Sequence, residues 1–292
     1  MYQLFMEQTM SPNSENNPLT KYFRQPAIYI KLPSNGRWWP EEALNMPITG
    51  ELPVYPMTSK DEIVLKTPDA LMNGAGMADV VQSCCPNIVD PWQMPSIDMD
   101  AVLIAIRIAS YGHNMEFDST CPHCKHENSH VKDLRDSLSS VQCPDYDTPV
   151  TLDNLLIKLK PAIYRESNRS KQINFEEQKM LQAIESSTLE PEAKSKEITG
   201  CMSRLIRIGL EVLTAATESV TINNDVVVTN PEHILEFYAN SETTAVKKVQ
   251  DRLGELNTHA GLEPIPVLCN ECSGAYKIPI EFDYANFFAN GF

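Results

Sequence analysis

Two CxxC turns lie far apart in the chain, each flanked by alternating apolar and polar residues. Helical periodicity fills the stretch between them, and a proline-rich segment precedes both. Together these features predict an α+β fold: a split zinc-ribbon-like element with a helical insertion and an extended, proline-rich N-terminal region. The implied boundaries are a flexible arm over 1–20, an N-terminal unit with a central helix and the first knuckle over 21–140, a mainly helical insertion over 141–262, and the second knuckle with a C-terminal strand over 263–292. At 292 residues the chain is long enough for one sizeable core or two modest ones.

Residues 1–20 are polar and irregular, which favours a mobile arm. A short strand is expected over Ala27–Leu32, bounded by Pro26 and Pro33, with "PSNG" as the following turn. The next stretch, "GELPVYPMTSKDEIVLKTPDALMNG", holds too many prolines for central strands, so an extended segment, a strand at Glu62–Lys66 and one helical turn are expected. Trp38, Trp39 and Tyr55 are expected to pack onto their own core, with projection toward a partner as the alternative.

"MPSIDMDAVLIAIRIASYGHN" reads as a helix capped by Ser96, favoured at its start by Asp98 and Asp100 and stopped by Gly112. Val102, Leu103, Ile104, Ile106 and Ile108 leave it little polar surface, so it should be buried and central. Arg107 then needs a carboxylate partner or a route to solvent. In the insertion, "TLDNLLIKLKPAIY" suggests one strand stopped near Pro161. Helices follow over about 166–187 and 192–218. The second carries Ile198, Met202, Leu205, Ile206, Gly209, Leu213 and Ala216 at helical spacing, a stripe expected to pack internally, with partner docking as the alternative. A hairpin across Asn224–Asp225 and two shorter helices, the last closed by Gly261, complete it.

The cysteines carry the chemistry. "CPHC" holds Cys121 and Cys124; "CNEC" holds Cys269 and Cys272. Four thiolates on two tight turns suit one tetrahedral zinc ion, and four cysteines leave no open position for catalysis, so the ion is expected to be structural. The pairs are about 145 residues apart, far beyond the usual separation of about 15–20. A long insertion is tolerable when it folds by itself, because closure entropy grows only logarithmically with loop length. A thioredoxin-like redox pair would need a strand-to-helix setting, which neither turn shows. His123, His126 and His130 are expected at flanking surface positions. Cys84 and Cys85 are vicinal and, with Cys143 and Cys201, are expected as buried thiols.

Composition bounds the rest. A formal net charge of −15 argues against nucleic-acid phosphate and anionic lipid as direct partners. The opening residues lack a signal-peptide pattern, and the most apolar run, "AVLIAIRIAS", is too short to span a bilayer, so a reducing cytoplasm is expected. No Gly-rich phosphate loop or recognisable nucleophile is present: "NGAGMAD" lacks the preceding strand and the following Lys-Ser/Thr. A non-enzymatic protein is expected, with a thiol redox or hydrolytic enzyme as the distant alternative.

The stretches "NPLTKYFRQPAIYIKLPS", "GELPVYPMTSKDEI", "KTPDALMNG", "VVQSCCPNI", "MPSIDMDAVLIAIRIASYG" and "CPHCKHEN" resemble a baseplate protein family of the T4-type contractile-tailed bacteriophages, that of the baseplate hub subunits. The resemblance runs from about Asn17 to Asn128 and more loosely through "CNECSGAYKIPIEFDYANFF". It implies a tail-assembly role without turnover, in the host cytoplasm during assembly and then in the virion tail, with other hub or wedge proteins as partners. A transient assembly chaperone absent from the mature virion is the alternative. The resemblance supplies no catalytic residues, and the cysteine site rests on spacing alone.

Overall fold

The computed structural model describes residues 17–67, 74–188, 190–260, 264–278 and 288. Most of the expected arm therefore lies outside the described residues. Strand β1 (Ile28–Ile30) pairs antiparallel with β2 (Leu52–Val54), Ile28 opposite Val54. The turn after β1 depends on Asn35 and Gly36, with φ of 51° and 82°. Residues 62–66, expected as a strand, are helical instead. Helix α1 (Ser59–Leu65) starts at a capping box: the Asp61 N–H donates to the Thr58 hydroxyl, and the Asp61 carboxylate accepts from the Thr58 N–H. Those bonds satisfy donors that a helix start would otherwise leave orphaned, which outweighs the strand-like look of "EIVLK".

Helix α2 (Ala75–Cys84) follows; most of the expected turn in "KTPDALMNG" falls outside the described residues. Helix α3 (Ser96–Tyr111) is central and buried: from Ile97 to Arg107 every residue except Asp100 is fully buried. Gly112 ends it at φ 87°. Ser96 is not its cap. Pro95 takes that position with no side-chain bond, and the Ser96 N–H donates instead to the Ala162 carbonyl at 2.8 Å. A tertiary contact thus does the work assigned to a side chain. Arg107 does not reach solvent, being 2 % exposed; its guanidinium lies 5.3 Å from the Tyr111 ring centroid, and burial pushes its pKa down.

Asp98 fastens the proline-rich region to this helix. Its carboxylate accepts from the Ser34 N–H (2.8 Å), the Ser34 hydroxyl and the Trp39 indole N–H (2.7 Å). Burial pushes its pKa up, against the pull of these donors. Trp38 packs edge-on against Tyr146, and Tyr55 receives the Arg24 guanidinium over its ring, so all three aromatics contact their own chain.

Beyond α3 come the hairpin β3 (Asn114–Thr120) and β4 (Glu127–Asp133), and α4 (Leu134–Ser140), capped by Asp133. The stretch expected as one strand is a hairpin, β5 (Val150–Leu152) and β6 (Leu155–Leu159), because Asp153 adopts φ 47° and turns the chain in two residues. Helices α5 (Tyr164–Ser186) and α6 (Pro191–Ala215) form an antiparallel pair, joined in its seam by Arg204 and Glu177. Strands β7 (Thr217–Ile222) and β8 (Val226–Val228) turn through left-handed Asn223 and Asn224 and complete an antiparallel sheet of order β5-β6-β7-β8. Helices α7 (Pro231–Asn240) and α8 (Thr243–Ala260) cover it; Gly261 lies outside the described residues. The last described strands are β9 (Ile265–Leu268) and β10 (Ala275–Ile278); most of the chain beyond Ile278, where the expected C-terminal strand would continue, lies outside the described residues.

Buried apolar residues fall into two clusters. One joins β1, β2 and α1–α3 with Leu134, Tyr164 and Phe288. The other joins the four-stranded sheet, the end of α6, α7 and α8, and takes Ile97 from the central helix. The α6 stripe does not pack as a whole: Leu213 and Ala216 are buried, but Met202 is 46 % and Ile206 66 % exposed.

Asp100 gives the fold a pH signature. Burial pushes its pKa up to about 6, with Lys171 on α5 pulling the other way. Between its ordinary value and about 6 the folded state binds more proton than the unfolded one, so stability falls as pH rises through that window and stays lower above it. Asp100→Asn should remove that decline, gaining on the order of 2 kcal/mol at pH 7. Urea midpoints of the two proteins at pH 4.5 and pH 7 measure it; parallel curves would refute it.

Candidate metal centre

Each CxxC closes a strand-turn-strand unit. In the first, the Lys125 N–H donates to the Cys121 carbonyl at 3.0 Å and the Cys121 N–H donates to the His126 carbonyl at 2.9 Å. In the second, the Ser273 N–H donates to the Cys269 carbonyl at 2.9 Å and the Cys269 N–H to the Gly274 carbonyl at 3.0 Å. The two turns are the same turn built twice. Lys125 and Ser273, each just after its second cysteine, both sit in the left-handed region at φ 64° and 56°. Such turns leave N–H groups aimed at the sulfurs, which favours thiolates.

The turns meet face to face. The Cys121 and Cys272 sulfurs are 3.8 Å apart, and those of Cys124 and Cys269 are 3.5 Å apart. All four sulfurs lie within 4.8 Å of one another. A tetrahedron with metal–sulfur bonds of about 2.3 Å has edges of about 3.8 Å. The four cysteines are free thiols rather than disulfides, and the first of each pair is buried while the second is exposed. The donor set and its size are compatible with one bound metal ion.

Electrostatics favours a cation at the centre. The backbone N–H of Cys272, with that of Glu271, holds the Cys269 thiol down to about 6 against the cost of desolvation. The His126 N–H favours the Cys124 thiolate, but burial and the three neighbouring sulfurs outweigh it and push that thiol up to about 12. Four sulfurs this close cannot all be anionic by themselves; a divalent cation between them removes the conflict.

A second set of contacts aligns the turns. Asn128 is buried and spans them: its Nδ2 donates to the His126 carbonyl at 3.0 Å, and its Oδ1 accepts the Asn270 N–H at 2.8 Å. His123 Nε2 lies 3.3 Å from the Ala275 carbonyl. Below the sulfurs, the Ser119 and Tyr276 hydroxyls are 2.7 Å apart, with His130 Nε2 at 3.1 Å from Ser119. Gly274 is required sterically, since a Cβ there would lie 2.8 Å from the His123 ring and 3.2 Å from the Cys272 sulfur. No histidine joins the metal-competent group among the described residues. Cys84 and Cys85 are buried, and burial drives both thiols up, Cys84 to about 12.

The model of the family described as T4 bacteriophage base plate protein matches residues 28–289. The chain belongs to that family. No curated protein and no solved structure matches it. For a base plate protein the match has a useful extent: it runs through both cysteine turns and the whole insertion between them. No helix among the described residues is long and apolar enough to cross a membrane.

That the four cysteines belong together could be read from their two CxxC turns. Asn128 and Gly274 could not, because each acquires its role only when the hairpins meet. Asn128→Ala should lower metal affinity about 10–100-fold while leaving the four ligands in place. Competition with a chromophoric chelator measures it; an unchanged affinity would show that the bridge is incidental.

Proposed function

We propose that this base plate protein is a structural subunit of the central hub of a contractile tail, acting through protein–protein contacts and without enzymatic turnover, and that its four cysteines hold one zinc ion. The observation that carries the reading is the family match over 28–289, which includes both halves of the cysteine cluster. An all-thiolate tetrahedron suits zinc, and with four protein ligands there is no open position for substrate. The ion's part is to fix the C-terminal hairpin to the middle of the chain. The net charge of −15 keeps such a subunit soluble in the host cytoplasm before assembly and suits basic or neutral protein partners in the tail better than nucleic acid or lipid.

Two measurements test the parts separately. Mass spectrometry of purified tails should find the chain at a fixed ratio to the other hub and wedge proteins. Presence in assembly intermediates but absence from mature tails would replace the subunit reading with a transient chaperone. Elemental analysis should give one zinc per chain, and Cys269→Ser should raise hydrogen exchange around Cys121 and Cys124, distant in sequence. Metal-free wild-type protein, or unchanged exchange at the first turn, would overturn the zinc closure.

A further inference from the structure

Helix α6 carries two seams at heptad spacing, offset by one residue, the first apolar throughout and the second apolar except at Thr199 and Gly209. Ile198, Cys201, Leu205, Ile208 and Val212 form the first; Thr199, Met202, Ile206, Gly209 and Leu213 form the second. Each follows the alternating three- and four-residue steps with which one helix packs on another. The first seam is used by α5: Cys201 and Ile208 are buried, and the Arg204–Glu177 pair closes its edge.

The second seam is covered only at its C-terminal end, by burial of Leu213 alone of its five residues. At its C-terminal end Leu213 is buried with Ile234 and Tyr238 of α7, and the Thr217 and Tyr238 hydroxyls are 2.8 Å apart. Helix α7 is ten residues long and ends at Asn240. Further toward the tip, Met202 and Ile206 are 46 % and 66 % exposed, and a Cβ on Gly209 would meet nothing within 4 Å. None of these three residues belongs to either core cluster. With 25 residues α6 is about 37 Å long, so the hairpin tip projects well past the sheet.

The covered end shows what fits the bare stretch. One helix face, continued in the same register, is occupied by a third helix where it is covered at all. We propose that the distal part of the α5–α6 hairpin takes an amphipathic α-helix from another base plate protein, laid over Thr199, Met202, Ile206 and Gly209 in line with α7. The helix must present its own apolar heptad seam, with a bulky residue opposite Gly209, where the surface is open. The inference rests on the reading of the chain as a tail component acting by protein–protein contacts, and it names the site and the kind of partner.

A photo-crosslinking amino acid placed at position 206, in chain produced during infection, should capture a helical segment of one other base plate protein, read by mass spectrometry. A reporter at exposed Ile48 should not capture that segment. Ile206→Glu places a charge in the seam and should lower recovery of the chain in baseplates at least tenfold, with metal content and unfolding midpoint unchanged because the site is exposed. Crosslinking to a second copy of this chain, or a wild-type dimer that Ile206→Glu disperses, would overturn the proposal in favour of self-association. Equal incorporation of Ile206→Glu and wild type would overturn it outright. Absence of the wild-type chain from every baseplate fraction would instead remove the functional reading, and this inference with it.

Discussion

Four sulfurs within 4.8 Å of one another join residues 121–124 to residues 269–272 and so determine where the last part of the chain can be. The hairpin β9–β10 has two strands and a knuckle, and an isolated two-stranded hairpin is marginal at best in water. Its attachments to the body among the described contacts are those at the cluster: the sulfurs, Asn128, His123 and the Ser119–Tyr276 pair. A structural metal contributes on the order of 10 kcal/mol in small zinc modules, comparable with the net stability of a whole domain. The polar contacts beneath contribute about 1 kcal/mol each. On the proposed reading a metal ion would decide whether the hairpin is docked, and the polar contacts would decide its register.

The long separation between the halves follows from the same arithmetic. Closing a loop of some 145 residues costs little more than closing one a few times shorter, because the entropy grows with the logarithm of length. The intervening segment reduces that cost further by folding on its own sheet, with Tyr146, Ile157, Leu213 and Tyr238 in a common cluster. Helix α3 joins this second core to the first: Ile97 faces one and Val102–Ile106 the other. Asp98, on the same turn as Ile97, ties in Ser34 and Trp39. One helix start thus sets the positions of the proline-rich segment and of the insertion together.

What could be read in the sequence was what local chemistry specifies. The CxxC turns, the apolar run of α3, the Gly112 stop and the long helices of the insertion are encoded by residues close to one another, and the structure contains each of them. The strand expected at Glu62–Lys66 is helical over most of its length because the capping box of Thr58 and Asp61, just before it, starts a helix. Leu152 and Leu155 were read as one strand because Asp153 reverses the chain in only two residues. Ser96 was assigned a cap that the Ala162 carbonyl, 66 residues away, makes unnecessary. Asn128 and Gly274 could not be found at all, since neither has a role until two hairpins remote in sequence come into contact.

The stripe on α6 shows the limit of periodicity as evidence. Spacing at heptad intervals says that a face seeks another helix; it does not say whether that helix belongs to the same chain. Within one helix both answers occur. Leu213 finds α7, while Ile206 and Met202, about two and three turns further toward the tip, stay exposed. An exposed apolar seam costs solubility, and a chain of net charge −15 tolerates it because like-charged copies repel at distance. A chain whose distant segments meet at four clustered sulfurs can thus leave part of a long helix with apolar side chains exposed.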